Sequence, residues 1–298
     1  MINNPYFLPS IDPSNYAIQL IADTVGFDCL PIDVFNIPEL MDYEVIFSSE
    51  DFENINQYGF SDIRSEDSMT IYLNANFYGS SFDEVIQDDI KRRHCRFTLA
   101  HELGHCTIPE HKNVALQNNL LNKNNLHSKR YNFQKEYEAN IFASELLIPA
   151  KTIDNIYKFG NSFYDITKQI SSRYDASMMA SAIKTASLMD DSICICLQIS
   201  KTDKTIIGFK YSKAFKEYGK GLFIAKNSEP YSGSLTKALL RGSTTICTHQ
   251  QYQNPRDWFP NFRGGEDAIL HEWAFDMGEN IITFLELIDT SLYSLYIN

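Results

Sequence analysis

Residues 96–105 read Arg-Phe-Thr-Leu-Ala-His-Glu-Leu-Gly-His, and this stretch decides how the rest of the chain is understood. On a helix, His101 and His105 stand four residues apart, so they share one face, one turn above the other. Two imidazoles placed in this way can hold one Zn²⁺ at roughly 2.0–2.1 Å each. Glu102 follows the first histidine, rotated off the metal axis, where it can hold a water at the metal and take its proton. The mostly apolar lead-in from Arg96 to Ala100 favours a helix, and Gly104 admits the close approach of another backbone or a substrate. The competing view is an amphipathic helix whose histidines are capped or solvated. Against it stands a second acidic helix at a suitable distance downstream.

A metal held by two histidines needs a third protein ligand, and three residues compete for the role. His111 lies ten residues after His101, the HExxHxxGxxH spacing. That arrangement needs a sharp turn at a glycine, and here the position is Ile108, a β-branched residue that resists positive φ. The other two candidates lie in Gln134-Lys-Glu-Tyr-Glu-Ala-Asn-Ile-Phe-Ala-Ser-Glu-Leu-Leu-Ile-Pro149. This run reads as a helix with Ala139, Phe142, Ala143, Leu146 and Leu147 on its apolar face. Glu136 and Asn140, four apart, share another face. Glu136 can be a carboxylate ligand, and Asn140 can accept a hydrogen bond from the free ring N–H of a ligating histidine. Glu138 points about 200° around the helix from Glu136. The order of preference is Glu136, then Glu138, then His111.

Residues 96–105, followed by Glu-x-x-Ala-Asn-x-Phe-Ala-x-x-Leu-Leu-x-Pro at 136–149, resemble the ImmA/IrrE family of metallopeptidases. Leu30-Pro-Ile-Asp-Val34 is similar to the family's early Pro-Val-Asp-type helix start, and Ile71-Tyr-Leu-Asn74 to its short strand before the active-site helix. The resemblance covers about residues 15–190. It implies a zincin-like fold, a zinc site of two histidines and one glutamate, and cleavage of a helix-turn-helix repressor in a stress, phage or mobile-element response.

The chain has 298 residues, 44% of them hydrophobic, enough for about two domains. The formal net charge is −12. Direct nucleic-acid binding is not expected, because broad phosphate contact needs a basic surface. The same charge favours a basic protein partner, such as a DNA-binding repressor, through electrostatic steering. The six cysteines (29, 95, 106, 194, 196 and 247) form no CxxC pair. Cys194 and Cys196 can share a strand face as buried apolar residues, and Cys106 points away from the histidines. The start, Met-Ile-Asn-Asn-Pro, has neither a basic n-region nor an apolar h-region, and no apolar run of about 18 residues exists. The expectation is a reduced, cytoplasmic protein with no membrane span.

The predicted organisation is α+β in three parts. Residues 1–160 form a zincin-like metallopeptidase domain, 161–190 a helical, helix-turn-helix-like segment, and 191–298 a C-terminal α+β, GAF-like domain with a sensory role. In the first part, helices are expected within 14–40, with a stop at Gly26 and a start at Pro31. A strand is expected at Glu44–Phe47, and another within Asp67–Asn76 that lines the cleft or forms a sheet edge. Helix 82–107 carries the motif, and 111–132 is an Asn-, Lys- and His-rich polar loop. Residues 150–160 and 163–171 read as helical. Residues 171–184 form a helix, a turn and a helix capped by Ser177 or Asp175, packed on the peptidase core. Strands are expected at Ile193–Ile199, Thr205–Tyr211, Leu222–Ala225 and Ile281–Ile288, and a short helix at Ser234–Leu240. Trp258, Phe259, Phe262 and Trp273 are core residues or line a ligand pocket.

Two functions compete. One is a zinc endopeptidase in which His101, His105 and Glu136 hold Zn²⁺ and Glu102 is the base. The other is a non-catalytic zincin scaffold that binds and sequesters a protein partner. A DNA-binding regulator ranks last on charge.

Overall fold

The computed structural model describes residues 12–52, 57–65, 68–120, 129–153, 162–189, 191–218, 222–242, 247–252 and 254–288. They divide into two compact units, the first comprising residues up to 153 together with 173–176, the second 154–172 and 177–298. The chain is mixed α+β, as the sequence predicts.

The first unit opens with helix α1 (Pro13–Asp23), capped by Asp12, whose carboxylate accepts from the Ser14 amide at 2.9 Å. Its buried Ala17, Leu20 and Ile21 follow helical spacing and pack on α7. The helix stops as expected at Gly26, whose N–H returns to the Ile21 carbonyl at 2.7 Å. No helix starts at Pro31, which follows a cis peptide bond; the next is the short α2 (Ile37–Leu40). Strands β1 (Glu44–Ser48), β2 (Gly59–Ser65) and β3 (Ser68–Asn74) form a sheet in the order β1-β3-β2. β3 runs parallel to β1 and antiparallel to β2. The strand expected within 67–76 is therefore the centre of the sheet, and the edge beside the metal motif is β2. Helices α3 (Ala75–Tyr78) and α4 (Phe82–Val85) then lead to α5 (Asp89–Thr107). The single helix expected over 82–107 is broken at Ile86–Asp88 because Asp88 caps α5, accepting from the Ile90 and Lys91 amides at 2.9 and 3.0 Å.

α5 ends at Ile108, which is extended (φ −69°, ψ 117°), and Pro109 starts α6 (Pro109–Leu120). Proline suits a first helical position, where no N–H is needed. Much of the expected polar loop is thus helix, since α7 (Lys129–Leu147) follows; residues 121–128, including His127, lie outside the described residues. The apolar face predicted for α7 is buried, with Ala139, Phe142, Ala143 and Leu146 at 0% exposure. α7 packs against α5 where Gly104 leaves no room: an added Cβ would lie 3.1 Å from the Phe142 ring and 3.3 Å from the Ala139 Cα. Gly104→Val is expected to cost about 1–3 kcal/mol through overpacking. Gly104→Ala should stay close to wild type, because helix propensity favours alanine by about 1 kcal/mol. Urea midpoints measure both.

α7 is followed by a 3-10 turn, Ala150–Thr152; residues 154–160 of the helical stretch expected there lie outside the described residues. Helices α8 (Phe163–Tyr174) and α9 (Met178–Leu188) meet at Asp175, at φ +47°. Ser177 caps α9, accepting from the Ala180 amide at 3.1 Å. Asp175 binds arginines of α5 instead. Arg92 donates to it at 2.7 and 2.9 Å and Arg93 at 3.0 Å, while Arg96 lies at 3.9 Å. All of these belong to the first unit. Most of α8 and all of α9 group with the second unit rather than with the metal-motif helices, against the expected packing on the peptidase core. The reason lies in their apolar residues: Phe163, Ala182 and Ala186 cluster with Cys194, Cys196, Phe275 and Phe284 of the second sheet.

That sheet contains β4 (Ile193–Ser200), β5 (Ile206–Tyr211), β6 (Cys247–Tyr252), β7 (Ile269–Asp276) and β8 (Asn280–Ile288), in the order β5-β4-β8-β7-β6 and antiparallel throughout. It is a sheet of the kind the GAF-like expectation requires. Its other face is covered by α10 (Lys213–Tyr218), α11 (Leu235–Leu240), Trp258, Phe259 and Phe262. These aromatics are core, while Trp273 is half-buried and packs against the core, its ring meeting Phe163 at 4.7 Å. Cys194 and Cys196 are buried on one face of β4, as expected, and burial pushes both thiols well up. Leu222–Ala225 forms no strand. No described helix is long and apolar enough to cross a membrane.

Candidate metal centre

α5 and α7 lie side by side, and their facing residues converge at one point. His101 Nε2 is 3.1 Å from Glu136 Oε2, His105 Nε2 is 3.5 Å from Glu136 Oε1, and the two Nε2 atoms are 3.1 Å apart. A tetrahedral zinc with bonds of about 2.0–2.1 Å has ligand-to-ligand edges of about 3.3–3.4 Å. The distances, taken to the two oxygens of the one carboxylate, lie close to that value, so the donor set fits the ion in type and the three residues are near enough to share it. Among the described residues these three form the one group of His, Cys, Asp or Glu able to hold a metal. The His101 imidazole, and after it His105, hold the Glu136 carboxyl far below the usual range, so it is the anion a ligand must be.

The other sequence candidates are placed as follows. Asn140 Oδ1 lies 3.1 Å from His101 Nδ1 and accepts its proton. Glu138 turns into the protein, as its angular separation from Glu136 requires, and its Oε2 meets His111 Nε2 at 2.9 Å. His111 is 2% exposed, and its Nδ1 lies 3.1 Å from His105 Nδ1. The triad thus gathers Glu136 and leaves Glu138 and His111 behind it. The extended Ile108 explains this for His111, because α6 carries it to the back of His105 rather than to the metal face. Burial pushes the His111 imidazole down to about 4, so it is neutral near pH 7. Cys106 is fully buried, its thiol pushed up to about 12 by the same cause, and it is not one of the residues gathered in the triad.

Glu102 is 6% exposed, and burial raises its carboxyl above the ordinary range. With His105 and Glu136 it lines a cleft of about 420 Å³ whose other walls include Gly59, Phe60, Ser61, His111 and Lys135. Gly59, Phe60 and Ser61 escaped the sequence reading, and two of them bear on Glu102. The Ser61 side chain hydrogen-bonds Glu102. Gly59 lets β2 close on α5: a Cβ there would sit 2.7 Å from Thr98 Cγ2 and 3.4 Å from Glu102 Cγ. The glycine ahead of an alternating Phe-Ser-Asp-Ile was the one signal available.

Comparison with known proteins agrees with this site. Residues 85–185 match the Peptidase_M78 family model, described as an IrrE N-terminal-like domain; that segment holds α5, α6 and α7 and hence the whole triad. No curated protein matches the chain. Among solved structures, a Mycobacterium tuberculosis transcriptional regulator is similar, with a TM-score of 0.54 at 12% identity over 96% of this chain and 80% of that one. At that identity the likeness is one of fold. Residues 85–185, which hold the triad, are thus similar to an IrrE N-terminal-like domain, the part of the chain where the resemblance to the ImmA/IrrE family lies.

Proposed function

We propose that the chain is a zinc-dependent endopeptidase acting on a regulatory protein. The observation that carries this reading is the convergence of His101, His105 and Glu136 beside a buried Glu102 in an open cleft. Zn²⁺, when bound there, supplies Lewis acidity that polarises the scissile carbonyl and acidifies water. Asn140 orients His101 through its ring N–H. Glu102, steadied by Ser61, takes the proton of the attacking water and returns it to the departing amine. Gly59 brings the backbone of edge strand β2 to within reach of that carboxyl, and Lys135 places a cation in the same cleft.

The substrate in this reading is a cytoplasmic, basic, DNA-binding repressor, drawn to a chain of net charge −12 by steering that salt weakens. The GAF-like unit would sense the signal that releases activity. The competing function, sequestration without cleavage, is separated by one experiment. Purified protein and its repressor are incubated and run on a gel, with wild type and with Glu102→Gln. Wild type should cut, and Glu102→Gln should lose at least ~100-fold in rate, the contribution of a general base, while keeping its zinc. Equal repressor inactivation by both forms with no cleavage product would sink the peptidase reading.

A further inference from the structure

Three side chains behind the triad have no part in the hydrolytic reading: His111, Glu138 and Gln134. They are joined in series. Gln134 Nε2 donates to Glu138 Oε1 at 2.8 Å, Glu138 Oε2 meets His111 Nε2 at 2.9 Å, and His111 Nδ1 meets His105 Nδ1 at 3.1 Å. We propose that His111 and Glu138 are positioning residues, a buried relay that fixes the tautomer and ring orientation of His105 for metal binding.

The direction of each hydrogen bond follows from counting protons. A carboxylate only accepts, so the His111 Nε2 carries the proton given to Glu138. A neutral imidazole has one N–H, so His111 Nδ1 is left as a lone pair. His105 Nδ1 must then be the donor between the two rings. Its own single proton is spent on that bond, so Nε2 is bare and aimed at Glu136 and at the Nε2 of His101. Gln134 holds the far carboxylate oxygen and stops Glu138 from turning away. His101 receives the same service in one step from Asn140; His105 needs two, because an intervening imidazole spans the gap. The break at Ile108–Pro109 makes this possible. Had α5 run on without a break, residue 111 would lie about 280° around the helix from His101, on neither the metal face nor the back of His105.

This inference rests on the proposed function only in needing His105 as a metal ligand. Its test is metal binding, not turnover. The apo protein is titrated with Zn²⁺ against a chromophoric chelator, and with Co²⁺ while its visible d–d bands are recorded. His111→Leu is expected to weaken Zn²⁺ binding 10–100-fold, the usual loss when a partner behind a metal ligand is removed, and to shift the Co²⁺ bands. His111→Gln, whose amide oxygen can accept from His105 Nδ1–H, should restore affinity to within about threefold of wild type. Glu138→Gln, the closer match in shape, has one acceptor oxygen for two donors and should weaken binding about tenfold. In the His111→Gln background it should change nothing further. Wild-type affinity and an unshifted Co²⁺ spectrum in His111→Leu or in Glu138→Gln would overturn the relay, as would a His111→Gln no better than His111→Leu. Wild type that binds zinc and cuts nothing overturns the hydrolytic reading and leaves the relay standing; wild type that binds no zinc overturns both.

Discussion

Glu136→Ala is expected to leave the chain unable to retain zinc, with the metal-to-protein ratio falling from about one to near zero after dialysis against a weak chelator. Four-ligand zinc sites bind with about 10–16 kcal/mol, so one ligand contributes on the order of 3–4 kcal/mol, or roughly 10²–10³ in Kd. No neighbour can take the place of Glu136. Glu138 is engaged with His111 and Gln134, and it sits about 200° away on α7. His111 uses both ring nitrogens elsewhere. His111→Ala should therefore keep stoichiometric zinc at reduced affinity, so the loss is graded, Glu136 above His111. Elemental analysis of the dialysed proteins decides the matter. Zinc kept by Glu136→Ala and lost from His111→Ala would move the third ligand to His111.

The triad was legible because its geometry is local. His101 and His105 belong to one helix, and Glu136 and Asn140 to another, so helical periodicity alone sorts them from Glu138. Gly104, read as admitting another backbone or a substrate, meets the Ala139 backbone of α7. What stayed hidden depends on tertiary structure. β2 has mostly half-exposed residues and gains its identity from pairing with β3. β7 loses its apolar alternation at Glu272, a carboxylate at 0% exposure that accepts from the Leu235 and Thr236 amides at 3.1 and 2.9 Å and from the Thr236 hydroxyl at 2.6 Å. A buried, satisfied carboxylate cannot be told from a solvated one in a sequence. α6 reads as a loop because its Asn- and Lys-rich run has little apolar periodicity. The role of His111 was invisible for the same reason, since it exists only once the chain turns at Ile108. Asp175 was considered as a helix cap, an interaction within its own segment, whereas its partners lie some eighty residues away on α5.

Those partners make Asp175 the site of the second large effect. One carboxylate, 17% exposed, serves Arg92, Arg93 and Arg96, and the Arg96 side chain is only 5% exposed. Removing it leaves three neighbouring guanidinium groups without their shared carboxylate, and only the Tyr174 carbonyl, at 3.4 Å, still meets the buried Arg96. Asp175→Ala adds strain, because the backbone sits at φ +47°, where alanine is disfavoured and asparagine tolerated. Asp175→Asn therefore isolates the charge. The arginines, Arg92 first, hold the Asp175 carboxyl at about 2, below its ordinary 3.8. A depressed folded-state pKa means that the unfolded chain binds the proton first as the pH drops. The stabilisation is then complete above about pH 4 and fades as pH falls towards about 2. With allowance for solvent screening it amounts to about 1–2 kcal/mol. In urea titrations the gap between wild type and Asp175→Asn should be constant from pH 7 to 5 and narrow below pH 4, while Asp175→Ala should lie below both at neutral pH. A gap that is absent at pH 7, or that widens as the pH falls, would mean that the three arginines do not depend on this carboxylate.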